Sequence, residues 1–179
     1  HYIKGEDDFK MKKMLSSLVL LLILVGVMGS CVAKSIEDNP IDSAFANDFQ
    51  KAQSTVEINY VSEKYLQAWK KELVNAANVL KGKYKFKEDK IIVDEYLAGY
   101  EKAAKAAGNA EWLNWADIDS PPSNRLSGTG AASASMSAQA IVYKQATCNL
   151  INIIKGVSSE GQYQYLYSGK GAELEKIKQ

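Results

Sequence analysis

Residues 58–83, INYVSEKYLQAWKKELVNAANVLKGK, decide the fold. Ile58, Val61, Tyr65, Trp69, Leu73, Ala76 or Ala77, and Leu80 recur at helical spacing and form one apolar stripe across about six turns. Glu63, Lys64, Lys70, Lys71 and Glu72 fall mostly off that stripe, on the side expected to face water. The pattern stops at Lys81-Gly82-Lys83, where glycine suits a helix terminus and lysines suit the carbonyl end of the helix dipole. Gln53-Ser54-Thr55 supplies a break or a fresh cap ahead of it.

Downstream, Tyr84 to Lys90 is a charged connector, read as a solvated loop. A further helix is predicted from about Glu88 to Asp117, with Ile92, Tyr96, Tyr100, Ala103, Ala107, Ala110 and Leu113 toward the core and a kink near Gly108-Asn109. Asp119-Ser120-Pro121-Pro122-Ser123-Asn124 ends it, and the loop continues through Gly128-Thr129-Gly130, too little for a phosphate cradle. The next helix runs from Ala131 to Lys155, apolar at Ile141, Tyr143, Leu150, Ile151 and Ile154. Beyond Gly156, Tyr163, Tyr165 and Tyr167 alternate as in a strand, but no partner strand offers itself, so residues 157–179 read as a turn and a frayed or partly packed helix.

Upstream, Ile41, Phe45, Phe49 and Ala52 predict one more helix, with Asp42 favouring its start. The fold expected is all-α, an antiparallel bundle of three to four helices covering residues 41–156, with residues 157–179 as a C-terminal tail. Residues 31–40 form a polar tether that Pro40 closes.

Before the tether stands MKKMLSSLVLLLILVGVMGSC, Met11 to Cys31. Lys12 and Lys13 give a positive start, Leu18 to Val25 an unbroken apolar run, and Gly29-Ser30 a small-residue approach to a cysteine. The run is short for a membrane span. Read together these are a bacterial lipoprotein signal over residues 11–30, with residues 1–10 as upstream read-through. Cleavage before Cys31 would leave it to carry fatty acyl chains, palmitate among them, and several chains on one residue hold durably to a membrane. Met28 stands where such signals usually have leucine. A secretory signal cut near Ala33 and an uncleaved N-terminal anchor are the alternatives.

Removing Lys4, Lys10, Lys12 and Lys13 from the 22 basic residues, and Glu6, Asp7 and Asp8 from the 21 acidic ones, leaves 18 of each in the mature chain. That balance gives no footprint for nucleic acid. The only histidine, His1, precedes the signal, which leaves no Ser-His-Asp or Cys-His relay and no histidine-containing metal site. No cofactor motif, catalytic set or metal ligand set is read. Cys148 is expected as a buried thiol on an apolar helix face.

Glu111-Trp112-Leu113-Asn114-Trp115-Ala116-Asp117 resembles the AWLxYRD segment of the lysozyme-inhibitor LprI-like family, small exported bacterial domains. Trp69 to Leu73 with Asn75, Ala76 and Leu80 is similar to that family's EL-N…Y..L helix, and Gly128-Thr129-Gly130 with Ala140, Tyr143 and Leu150 to its glycine-containing loop and closing helix. The likeness spans residues 55–155, with Ala116 at the family's arginine and Trp115 at its tyrosine; of the family's paired cysteines only Cys148 is present. It implies a helical domain of the cell envelope, on the periplasmic or extracellular face, with lysozyme as the partner. A second reading is a structural envelope lipoprotein that docks onto another membrane protein without ligand or catalysis. Candidate partner-binding residues are Trp112, Trp115, Asp117, Tyr163, Tyr165 and Tyr167. For the two tryptophans core packing is the first reading, because at three apart they share a helix face. For Asp117 it is a helix-end or loop hydrogen bond.

Overall fold

The computed structural model describes residues 39–157 and 163–174. The signal stretch, Cys31 and the tether short of Asn39 lie outside the described residues. Among the described residues four helices follow in order: α1 (Pro40–Lys51), α2 (Thr55–Lys83), α3 (Lys87–Leu113) and α4 (Ala131–Val157), with a 3-10 turn at Pro122–Asn124 between the last two. The starts of α1 and α2 are written locally. Asn39 accepts the Asp42 N–H through Oδ1 at 2.8 Å, with Pro40 in the first turn. Ser54 and Glu57 form a reciprocal capping box, the Glu57 N–H donating to Ser54 Oγ at 3.2 Å and the Ser54 N–H to Glu57 Oε2 at 3.0 Å. Of the break or cap expected at residues 53–55, Ser54 is the cap.

The chain is an all-α bundle. Helix α4 packs along both α2 and α3, and α1 lies on α2. Pairing of Lys81 with Asp94 and of Lys70 with Glu101 shows α2 and α3 running antiparallel. The core is built from Ile41 and Phe45 of α1, Val61, Trp69, Leu73, Ala76, Ala77 and Leu80 of α2, and Ala140, Tyr143, Ala146, Leu150, Ile151 and Ile154 of α4. Cys148 is buried, as expected for a free thiol on an apolar face. Among the described residues no helix is long and apolar enough to cross a membrane.

The stripe of α2 holds from Val61 to Leu80, while Ile58 stays 38% exposed at its edge. Helix α3 is rotated from its expected face. It buries Val93, Ala104 and Gly108, with Tyr96, Leu97 and Tyr100 against the core, and leaves Ile92, Ala103, Ala110 and Leu113 exposed. Alanine fills so many positions between 103 and 110 that periodicity does not choose a face there. Gly108 chooses it: a Cβ would stand 2.6 Å from Gln139 Nε2, so α3 and α4 approach closely where the side chain is missing. The helix runs through Gly108 without a break. Ile141 of α4, also expected inside, lies at the surface. The expected end of α3 at Asp117 moves back to Leu113, and residues 163–174 form an extended strap in place of a frayed helix.

Candidate functional site

The strap explains where three candidate residues went. Tyr163, Tyr165 and Tyr167 alternate with exposed Gln164, Leu166 and Ser168, and their rings pack half-buried against the core. Glu72, expected on the wet side of α2, is buried at 1% exposure. Its Oε1 accepts the Tyr163 hydroxyl at 2.6 Å, the Leu166 N–H at 3.0 Å and the Asn75 side-chain amide at 3.0 Å; Oε2 accepts the Tyr167 N–H at 3.0 Å. The strap's own backbone donors thus compensate the buried carboxylate. A second buried acid, Asp48 of α1, accepts the Ala172 N–H at 2.6 Å. Beside it Gly171 adopts φ +80°, and a Cβ there would press on the Asp48 carboxylate and lie 2.7 Å from the Ala44 carbonyl. Burial, then the Glu72 carboxylate, pushes the Tyr163 hydroxyl well above its ordinary value, and burial raises Tyr165 to about 12. These tyrosines hold the fold. A shallow groove of about 370 Å³ runs beside the strap, lined by Gln67, Lys71, Val74, Asn78 and Leu166 among others.

A third polar cluster ties α1, α2 and α4 together. Asp42 accepts the Tyr65 hydroxyl at 2.6 Å and the Lys144 ammonium at 2.5 Å, with Lys144 also 5.9 Å from the Trp69 ring centre. Cys148 lies one turn beyond Lys144, and burial pushes its thiol up, which works against nucleophilic use. Among the described residues no group of three or more His, Cys, Asp or Glu is placed to hold a metal.

The remaining candidates gather at the α3–α4 loop, residues 114–130. Neither Trp112 nor Trp115 is in the core cluster; both are half-buried, and Trp115 lies beyond the end of α3 at Leu113. The Trp115 indole lies over the loop glycines instead. A Cβ on Gly130 would stand 2.6 Å from that ring, and one on Gly128 3.3 Å, so the two glycines make room for it. Its Nε1 donates to Glu111 Oε1 at 3.4 Å. Backbone bonds from Asp117 N–H to the Leu126 carbonyl (3.0 Å) and from Gly128 N–H to the Trp115 carbonyl (2.9 Å) close the loop into a short antiparallel bridge.

Asp117 organises the tip, as the loop reading proposes. Its Oδ1 accepts the Asp119 N–H at 3.0 Å and its Oδ2 the Ser120 hydroxyl at 2.5 Å, and these bonds hold its carboxyl below the usual carboxylate range. Arg125 spends Nε and Nη2 on the Ser120 carbonyl, both at 3.2 Å. This internally bonded loop displays Ile118 at 82% and Leu126 at 80% exposure, the two most exposed large aliphatic side chains among the described residues. Composition signalled a loop here, but not that it would be ordered around Trp115. Set against family models, curated proteins and solved structures, the chain matches none.

Proposed function

We propose that this protein is a lipid-anchored binding protein of the bacterial cell envelope, without catalytic activity, that docks onto a protein partner through loop 114–130. The observation that carries the reading is an ordered loop holding Ile118 and Leu126 in solvent. Loops positioned by a rigid scaffold carry binding residues disproportionately often. The Met11–Cys31 stretch supports the membrane anchor, and the resemblance of Glu111–Asp117 to the LprI-like segment supports lysozyme as the partner. Glu72 is spent on the Tyr163 hydroxyl and backbone donors, Asp48 on the Ala172 N–H, and the Tyr65 hydroxyl on Asp42, which supports a structural role for groups that catalysis would need.

Full-length protein added to a muramidase assay is expected to slow the clearing of cells. No effect at large molar excess over several lysozyme types overturns the inhibitor reading and leaves the structural envelope lipoprotein. Crosslinking in intact cells then distinguishes the two, since a single abundant membrane partner marks docking onto an assembly. Metabolic labelling with a fatty-acid analogue tests the anchor. Cys31→Ser abolishes labelling and Cys148→Ser leaves it intact; labelling that survives Cys31→Ser removes the lipid from the reading.

A further inference from the structure

We infer that the connector between α2 and α3, Tyr84-Lys85-Phe86, is a second membrane contact, with Phe86 entering an anionic lipid surface while Lys85 and Lys87 meet its headgroups. This rests on the membrane-anchored reading and adds which end of the bundle faces the lipid.

Of the aromatic rings among the described residues only Phe86 is exposed, at 70%; the others are buried or half-buried. The connector that displays it is short and fixed. Helix α2 ends at Lys83 and α3 begins at Lys87, the backbone is extended at Tyr84 and Phe86, and the Tyr84 N–H donates to the Lys81 carbonyl at 3.3 Å while its ring packs against the core. Phe86 stands at the cap of α3 without a side-chain bond, so its ring does nothing for the helix start.

Charge surrounds that ring. Residues 81–90 carry lysines at 81, 83, 85, 87 and 90, against Glu88 and Asp89, which stand in the first turn of α3 beside its positive dipole end. Lys81 is paired with Asp94. Lys85 and Lys87, exposed on either side of Phe86, make no ion pair among the described residues. The last turn of α4 extends the patch. The Tyr96 hydroxyl bond to the Ala146 carbonyl and the approach of Gly108 to Gln139 set α3 and α4 antiparallel, which brings Phe86 level with Gly156, among exposed Ile153, Lys155 and Val157. Lysines interleaved with exposed apolar side chains suit an anionic bilayer, because the ring settles at headgroup level while the long lysine stems keep their ammonium groups with the phosphates.

The attachment of the N-terminal chain favours lipid over a protein as the occupant. Helix α1 runs back along α2, since residues 52–54 join the two and Asp42 meets Tyr65, so the start of α1 points toward this same end. Tyr65 to Lys83 is about 27 Å along α2 at 1.5 Å per residue. The residues from Cys31 to Asp38 reach up to about 26–29 Å when extended. A lipid on Cys31 can therefore lie in the bilayer that Phe86 touches, with loop 114–130 at the far end of α3, about 40 Å away.

The test reconstitutes the full-length Phe86→Trp chain into vesicles of phosphatidylcholine alone or mixed with phosphatidylglycerol, with and without brominated acyl chains. The tryptophan signal of the wild-type chain, carried through the same steps, is subtracted. In the anionic vesicles the emission from residue 86 is expected to shift to the blue and to be quenched by bromine at least about threefold more than in phosphatidylcholine. Adding Lys85→Gln and Lys87→Gln removes most of that quenching with an unchanged melting temperature, because both side chains are solvent-exposed. A residue 86 that stays wet on both vesicles, equal quenching on both, or quenching that the lysine variants leave intact each overturns the inference. So does saturable binding of polyglutamate, lost with the two lysines, by a chain whose residue 86 stays wet on anionic vesicles, which would mark the patch as a surface for an acidic protein. Failure of the anchor reads differently. A wild-type chain that takes no fatty-acid label in cells, with residue 86 still quenched on anionic vesicles, keeps the inference and removes the lipid from Cys31; a labelled chain whose residue 86 stays wet does the reverse.

Discussion

Glu72→Gln changes one oxygen to an amide group and leaves the shape of the side chain unaltered. In the native chain the two carboxylate oxygens take four donors, three of them from the strap. A glutamine keeps one acceptor oxygen. Placed at the Oε1 position, it retains Tyr163 and the Leu166 N–H but turns its amide toward the Tyr167 N–H, donor against donor. An unsatisfied buried N–H costs about 1–3 kcal/mol, and bonds to a neutral acceptor are roughly half as strong as those to a carboxylate. Two effects limit the total. The neutral side chain no longer bears the desolvation of a buried charge, and the strap can lift so that its donors find water. The expected loss is therefore about 2–4 kcal/mol, against a total stability of about 5–15 kcal/mol for a domain. At about 4 °C per kcal/mol, that lowers the melting temperature by roughly 8–16 °C. Urea unfolding measures the stability, and amide exchange locates it. Protection at Leu166 and Tyr167 should fall first, while amides of α2 and α4 near Trp69 and Leu150 keep theirs until global unfolding. A variant within about 0.5 kcal/mol of wild type, the ordinary range for surface substitutions, with Leu166 and Tyr167 still protected, would show that Glu72 does not hold the strap.

Two further substitutions separate core from strap. Trp69→Ala removes a fully buried indole that packs edge-on to Tyr65 and under Lys144, and denaturant unfolding should show a loss of about 3–5 kcal/mol; a smaller cost would mean that the bundle collapses into the space. Gly171→Ala forces a side chain into a left-handed conformation and against the Asp48 carboxylate and the Ala44 carbonyl, so a loss of about 2–3 kcal/mol with early exposure of the Ala172 amide is expected; a neutral result would deny that the turn at Gly171 is fixed.

Helix α2 was legible because its information is local. Val61, Tyr65, Trp69, Leu73, Ala76 and Leu80 repeat at one period, and Ser54 with Glu57 marks the start within four residues. Helix α3 was legible as a helix but not as a face, since alanine is compatible with either side and Gly108 selects the packing only through Gln139 on another helix. Glu72 could not be read at all from its neighbours. A glutamate at the margin of an apolar stripe is normally wet, and what buries it is a set of donors 91 to 95 residues away. The signal that could have found it was the period-two run of tyrosines, which needs a partner and finds a carboxylate on a helix instead of a strand. Trp112 and Trp115 misled for a related reason. Their spacing suits a shared helix face, but that holds only while the helix lasts, and α3 ends between them.

The strap and the loop solve opposite problems with the same chemical means. In both, a carboxylate accepts backbone and hydroxyl donors, Glu72 from Leu166, Tyr167 and Tyr163, Asp117 from Asp119 and Ser120. Glu72 is buried and its partners are distant in sequence, so its bonds close the tertiary structure and cannot be altered without loosening it. Asp117 is solvent-exposed and its partners are two and three residues away, so its bonds shape a surface without reporting on the core. Loss of Asp117 as an ionised acceptor follows the same sign. Its carboxyl sits below the ordinary range, so its contribution to loop order is present above that range and fades as the pH falls through the lowered value. Around neutrality the tip keeps both its shape and its negative charge. A surface defined that locally can change at Ile118 or Leu126 without disturbing the bundle beneath it, because none of the bonds that shape it reaches the core.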